Sequence, residues 1–308
     1  MGSATTSYSV RLNTRHVSQP IDAAFPTTTP AGLATLTLAM EPGLHGFVGA
    51  TFHLPDFDVV LNPLHWNDAP APLAVQPERN AFGAFTSITS HGPAQYLQSG
   101  MTRVLLHDAE QRPYDAFDPR VITPRAGHVD YVYLPELDKV GHGEGPNTKA
   151  WERCLATIDS RVAAVCAQLP ESAYVVVTSD HGMVYVPDSD RINVDSPLFQ
   201  AGVRCMAGEP RMRHLYTDTP HEVVDRWSDL LGGAAQVMVR DDAIARGLFG
   251  AVDPMLRDRI GDVIAIAHAT HAMTSAVVDP KPSGLRGLHG ALTDEELLVP
   301  LLLLRGVA

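Results

Sequence analysis

In the segment Tyr174-Val-Val-Val-Thr-Ser-Asp-His-Gly-Met183 an apolar, β-branched run stops abruptly at Asp180-His181-Gly182. β-Branched side chains are stiff at χ1 and pack well on a pleated surface, so the run predicts a strand. Its lack of polar alternation predicts a parallel strand buried on both faces. Open α/β sheets collect their chemistry beyond the carboxyl ends of such strands. Asp180 and His181 put a hard oxygen donor and an imidazole at that place. The alternative is a satisfied, buried Asp at a turn.

The flanking sequence extends this pattern. Residues 128 to 134 predict a second buried strand, and Gly145-Pro146-Asn147 punctuates the start of a helix over 147 to 169. Trp151, Leu155, Ile158, Val162, Val165 and Leu169 recur along it at spacings of three and four, the period of an amphipathic helix. Strand, helix and strand in this order predict a right-handed crossover in a parallel sheet. Further strands are expected at 7–12, 84–89, 213–216, 235–239 and 297–304, with helices at 30–40 and 220–231. Residues 262–267 and 273–278 read as a hairpin, 55–81 as loop and 90–127 as loop-rich.

Bulk properties exclude some function classes. A net charge of −12 argues against a nucleic-acid polymer as partner, since binding a phosphate backbone needs a basic surface. A small phosphate ester held through metal ions remains open, because the metal then carries the positive charge. No apolar run reaches the roughly 18 residues of a membrane span, so no membrane partner is expected. Cys154 and Cys166 fall on one predicted helix about 18 Å apart, too far for a disulfide. Free thiols fit a reducing compartment, so a cytoplasmic location is expected. Of the 23 basic residues, 20 are Arg, a compositional hint of a GC-rich bacterial genome.

Four segments carry candidate ligands or a nucleophile: Phe25-Pro-Thr-Thr-Thr-Pro30, Leu137-Asp-Lys-Val-Gly-His142, Ser179-Asp-His-Gly182 and Gly287-Leu-His-Gly-Ala-Leu-Thr293. Asp138 and His142 follow a strand, and a tight loop through Gly141 could aim both at one cation; zinc accepts both donor types. The competing reading is a solvated loop pair. His289 lies between Gly287 and Gly290, which permit close backbone approach. Thr29 directly precedes Pro30 and is expected at the N-cap of the 30–40 helix. There the dipole and free amides favour an anion, and a metal could lower the hydroxyl's pKa enough for nucleophilic attack. Simple N-capping is the alternative. Thr27 and Thr28 are expected outside the cap.

On these segments the chain resembles the alkaline phosphatase superfamily, and more narrowly its nucleotide pyrophosphatase/phosphodiesterase branch in bacterial form. The resemblance also rests on Glu41-Pro-Gly-Leu-His-Gly46, Leu61-Asn-Pro-Leu-His-Trp66, Leu134-Pro-Glu-Leu-Asp-Lys-Val-Gly-His142, Gly208-Glu-Pro-Arg-Met-Arg-His-Leu-Tyr216, Arg259-Ile-Gly-Asp262 and Leu288-His-Gly-Ala-Leu-Thr-Asp-Glu-Glu-Leu297. It implies a single α/β domain over 25–308: a central, mostly parallel sheet with helices on both faces. It implies hydrolysis of a phosphodiester or pyrophosphate bond in a small phosphate ester, nucleotides included. It further implies that two zinc ions clamp the substrate, that Thr29 is the nucleophile and that a phospho-threonine intermediate forms. Asp138, His142 and His289 resemble the ligands of one zinc, and Asp180 and His181 two ligands of the other.

The chain also departs from that pattern. The family's second zinc takes a further Asp from an Asp-Gly ending the first strand, upstream of the Thr. Here Asp22 is the only acidic residue before Thr29, and 1–24 reads as an atypical segment without a central strand. The family's first strand and its ligand are therefore expected to be missing and the second site incomplete. The position of a phosphate-holding Asn corresponds to Ala50. Three readings stay open: a truncated gene, a non-catalytic relative retaining one metal, or a substitute ligand such as His16 or Asp22. A phosphomonoesterase or phosphonate hydrolase of the same superfamily is a further alternative. No cysteine stands in the Cys-x-Pro-x-Arg setting of a sulfatase.

Overall fold

The computed structural model describes residues 17–64, 102–105, 129–132 and 134–307. The expected strands at 7–12 and 84–89, and His16, lie outside the described residues. In chain order the elements are β1 (Val17–Asp22), α1 (Thr29–Leu38), α2 (Pro42–His45), β2 (Phe52–Leu54), β3 (Val59–Leu61), β4 (Thr102–Leu105) and β5 (Val129–Val132). Then come α3 (Glu136–Glu144), α4 (Lys149–Gln168), β6 (Tyr174–Val177), β7 (Val184–Tyr185), β8 (Arg191–Asn193), α5 (Pro197–Gln200), β9 (Cys205–Glu209) and β10 (Met212–Tyr216). The chain continues with α6 (Pro220–Leu231), β11 (Ala235–Val239), α7 (Arg240–Ala245), β12 (Val263–Ala267) and β13 (Ala272–Thr274). It closes with α8 (Pro280–Ser283), β14 (Gly287–Leu288), α9 (Asp294–Leu297) and β15 (Leu298–Arg305).

The fold is α/β, and its largest described sheet runs β11-β12-β10-β9, antiparallel throughout. β12 shows why its sequence, Val-Ile-Ala-Ile-Ala, reads as continuously apolar. Val263, Ala265 and Ala267 pack with Val223, Trp227 and Leu231 of α6 on one face. Ile264 and Ile266 face the other way, with Phe25, Ala34 of α1, Phe47 and Phe52. Alternate side chains point to opposite faces of a strand, and both faces are covered here. The second core thereby fastens α1, which carries Thr29, to this sheet.

A second sheet has the order β1-β15-β6. β15 is antiparallel to both neighbours, pairing Asp22 with Leu298 and Val177 with Leu302. β6 is therefore not the expected parallel, fully buried strand. Tyr174 is 61% and Val176 59% exposed, while Val175 and Val177 pack with Val165, Cys166 and Leu169 from the α4 side. A β-branched run satisfies a half-covered strand as well as a buried one, so the sequence alone does not separate the two. β5 pairs in parallel with β4, a strand inside the expected loop-rich stretch, and not with β6.

Other expectations need correction. β12 and β13 form no hairpin: β13 pairs in parallel with β8, Met273 opposite Ile192. β3 falls within 55–81, expected as loop. The segment expected to lack a central strand contains β1 at the edge of its sheet, where Pro20 is accommodated because an edge position spares the missing amide. Asp22 at its end is exposed. The helices at 147–169 and 220–231 appear as α4 and α6, with Thr148 capping α4 by accepting the Trp151 amide hydrogen at 3.3 Å. Both Cys154 and Cys166 sit on α4 as free thiols. No described helix is long and apolar enough to cross a membrane.

Candidate active site

Thr29 is the first residue of α1 and is buried. Thr28, in extended backbone with φ −139° and ψ 148°, takes the N-cap, one residue before the expected position. The Thr28 side chain makes no capping hydrogen bond to the helix amides. Thr29, one residue further in, has its Oγ1 3.0 Å from Nε2 of His181. Thr27 fastens the same corner to the His289 loop. Its Oγ1 donates to the Ala291 carbonyl at 2.8 Å and accepts the Gly290 amide hydrogen at 2.9 Å.

Asp138 and His142 lie not on a tight loop but on α3, four residues apart. That spacing puts both side chains on one helix face. Gly141 is there for space rather than for a turn: an added Cβ would strike the Met183 sulfur at 2.6 Å.

Hydrogen bonds settle the imidazole tautomers. Nδ1 of His142 contacts the Gly287 carbonyl at 2.8 Å, that of His181 the Gly182 carbonyl at 2.9 Å, and that of His289 the Thr27 carbonyl at 2.8 Å. A carbonyl only accepts, so each Nδ1 carries a proton and Nε2 is the atom each ring would offer to a cation. The Nε2 atoms of His142 and His289 stand 3.3 Å apart. Asp138 Oδ1 lies 3.5 Å from the first and 3.9 Å from the second, buried and without a hydrogen-bond partner. Three acceptors facing one another repel unless a cation sits among them. Their ligand atoms all fall within 4.8 Å of one another. The nitrogen and oxygen donor set, with its Nδ1–H groups anchored to carbonyls, fits a divalent metal of the zinc type.

The second pair adjoins the first. The His181 and His289 rings stack with centroids 3.7 Å apart. Asp180 Oδ2 is 3.7 Å from His181 Nε2, and it too is buried without a partner. Residues 29, 138, 142, 180, 181 and 289 therefore meet in one cluster. Among the described residues, Asp138, His142 and His289 are the only group of three or more with metal-ligand spacing. No third carboxylate or imidazole completes such a group around Asp180 and His181 there.

Electrostatics follow burial. Desolvation holds the His289 pKa well below its ordinary value, with His181 and His142 adding to the effect. Burial raises Asp180, and the Asp138 charge raises it further against the opposing pull of His181. Burial pushes His181 down, but Asp180 and Asp138 outweigh it and its pKa is raised.

Sequence reasoning assigned no role to Glu209. It ends β9, and both its carboxylate oxygens are buried without a hydrogen bond of ordinary geometry. Burial pushes its pKa up to about 8, opposed by the Thr28 hydroxyl, His181, Arg213 and the Ala50 amide. It lies against Gly290, whose φ of +131° and lack of Cβ leave room for its side chain. The Gly208-Glu-Pro-Arg segment resembled the family, but an acidic residue at a strand end carries no signal that it is buried. Glu296 was missed because Thr293-Asp-Glu-Glu296 reads as an ordinary capping box.

The model of the type I phosphodiesterase/nucleotide pyrophosphatase family matches residues 10–292. No curated protein matches the sequence. Solved structures similar to this one include murine ectonucleotide pyrophosphatase/phosphodiesterase 5, at 16% identity and a TM-score of 0.68, covering 95% of this chain and 80% of that one. The human counterpart gives 16% identity and a TM-score of 0.64 over the same shares. An inactive threonine-to-alanine form of the murine protein, in complex with AMP, gives 15% identity and a TM-score of 0.66, again covering 95% and 80%. At these identities the likeness shows the fold, whereas the family model spans most of the sequence. The chain belongs to the type I phosphodiesterase/nucleotide pyrophosphatase family, a class of enzymes that cleave phosphodiester and pyrophosphate bonds.

Proposed function

We propose that this chain is a zinc-dependent hydrolase that cleaves a phosphodiester or pyrophosphate bond of a small, nucleotide-like ester with Thr29 as nucleophile. The observation that carries this reading is the 3.0 Å contact between Thr29 Oγ1 and His181 Nε2, beside the acceptor cluster of Asp138, His142 and His289. The AMP bound to the inactive murine relative, whose substitution removes a threonine, supports both the substrate class and the nucleophile.

The chain's own groups have defined tasks. α1 places Thr29 at its first position, where free amide hydrogens and the helix dipole favour the substrate's anionic phosphoryl group. The Nδ1–H bond to Gly182 holds His181 so that its Nε2 faces the Thr29 hydroxyl. Asp138, His142 and His289 would hold one divalent cation, and Asp180 and His181 would bind at the second site. Bound there, zinc supplies charge neutralisation for the phosphoryl oxygens and lowers the hydroxyl pKa. Oγ1 of Thr29 forms a bond to phosphorus as the ester oxygen departs with its electron pair, and the hydroxyl proton passes to solvent water, which reprotonates the leaving oxygen. Water then attacks the phospho-threonine, restoring the hydroxyl and releasing phosphate or phosphomonoester.

The test is hydrolysis of a chromogenic phosphodiester by wild type and by Thr29→Ala. Loss of a nucleophile costs on the order of a thousandfold or more in turnover. Activity that survives this substitution rules Thr29 out. A second reading, a metal-binding relative without turnover, is favoured by the lack of a third ligand beside Asp180 and His181 among the described residues. Zinc bound by wild type with no ester hydrolysed would select it.

A further inference from the structure

Behind the cluster stands an ion pair whose two side chains, Arg211 and Glu296, are both fully buried. Arg211 Nε donates to Glu296 Oε1 at 3.1 Å and Nη2 to Oε2 at 2.7 Å, a bidentate fork. The remaining guanidinium nitrogen, Nη1, donates to the His271 carbonyl. Glu296 Oε1 also accepts the Ala291 amide hydrogen at 3.0 Å, and Oε2 accepts the Thr293 hydroxyl hydrogen at 2.7 Å. The Glu296 backbone carbonyl accepts from the Gly182 amide at 2.8 Å, and the Glu295 carbonyl from Met183 at 2.9 Å.

One residue thus touches three parts of the site. Ala291 lies two residues after His289, Gly182 one residue after His181, and Arg211 two residues after Glu209. A buried ion pair is a poor stabilising device, since desolvation cancels much of its attraction and apolar residues of similar volume often serve as well. Position is what it does supply: a fork fixes two chains in distance and in angle. We propose that Arg211 and Glu296 are positioning residues that set the spacing between the His289 loop and the Asp180–His181 loop, so that their donors face one cavity. The inference rests on the reading of that cavity as a cation site. His289 Nε2 stays 3.3 Å from His142 and 3.9 Å from Asp138 only while its loop is tied down.

The test compares the metal-free full chain as wild type, as Thr293→Val, and as the double variant Arg211→Met with Glu296→Leu. Each is titrated with Co²⁺ by visible absorption and with Zn²⁺ by calorimetry, and its thermal unfolding is recorded without metal. Thr293→Val removes a single hydroxyl hydrogen bond from the clamp. The double variant replaces the pair by apolar volume, which a merely structural role tolerates. Losing outer partners of a metal site typically weakens binding about 10- to 100-fold. We expect that loss in the double variant, several-fold weakening in Thr293→Val, and a changed Co²⁺ spectrum, with the metal-free melting temperature near wild type. Variants that fold normally and bind both metals like wild type overturn the proposal. Should the double variant fail to fold, Thr293→Val decides alone. Wild type that binds no metal, or binds it undiminished after His142→Ala, sinks the cation reading itself, a result distinct from wild-type binding in the clamp variants.

Discussion

Glu209 is the residue whose chemistry is most at odds with its surroundings. A buried carboxyl with no ordinary hydrogen bond is held up to about 8, against 4.5 in an exposed chain. Between those values the folded state keeps the proton and the unfolded state has lost it. The folded state therefore binds more protons, and stability falls as pH rises through this window. In chelator-treated protein, Glu209→Gln removes this dependence. The variant should gain on wild type by roughly 3 kcal/mol between pH 4.5 and pH 8.5, after allowance for relaxation of the buried site. Denaturant unfolding at both pH values checks it, and a stability difference that does not change with pH refutes the assignment. Other single residues were easier to read. Thr29, Asp138, His142, Asp180, His181 and His289 were all named from spacing, because glycines and strand ends mark them locally. Glu209 and Glu296 were not, because each is buried against distant sequence: Arg211 lies 85 residues from Glu296, and Glu209 packs on the Gly290 loop.

At the scale of elements, α1 shows packing opposing local propensity. Gly32 lies within the helix, where Ala would be favoured by about 1 kcal/mol. A Cβ there would stand 2.6 Å from the Asp180 carbonyl oxygen and 2.8 Å from its Cβ, both well inside contact. Backbone cannot yield as a flexible side chain can, so the clash wins. Gly32→Ala should cost about 1–3 kcal/mol of stability as an overpacked site. It should also lower turnover, because α1 carries Thr29 and the Asp180 loop carries His181. Thermal melts and diesterase assays on one preparation read both effects; a more stable, fully active variant means helix propensity decides. The same distinction explains which elements were legible. α4 and α6 announce themselves by periodicity and β12 and β15 by unbroken apolar runs, both of which reflect burial of the element's own residues. α3 did not, because Gly141 looked like loop chemistry when it serves to admit the Met183 sulfur. β12 and β13 passed for a hairpin because strand pairing is decided by distant sequence, here Arg191–Asn193.

The whole molecule carries a net charge of −12, and some of its acidic oxygens, Asp138 Oδ1 and Asp180 Oδ2 among them, are buried without hydrogen-bond partners. Burying such groups unpaired costs folding free energy. The α/β class was readable from the order of apolar segments and the donors from their motifs, but the burial of these oxygens without partners was not, since it exists only once α3, the β6 loop and the His289 loop close on one another. It makes stability depend on cations. A ligand that binds only the folded state adds about 2.7 kcal/mol when its free concentration is a hundred times Kd. For a chain of this length that corresponds to a rise in melting temperature of about 4 °C. His289 does not oppose this near neutral pH, because burial holds its pKa well below the ordinary range. Zinc should therefore raise the melting temperature of chelator-treated protein in a concentration-dependent way at pH 7.5, and Asp138→Asn with His142→Ala should abolish most of the shift. An equal rise in that double variant would place the stabilising cations elsewhere on the acidic surface, and no rise in wild type would mean that the clustered acceptors are held apart by the fold alone.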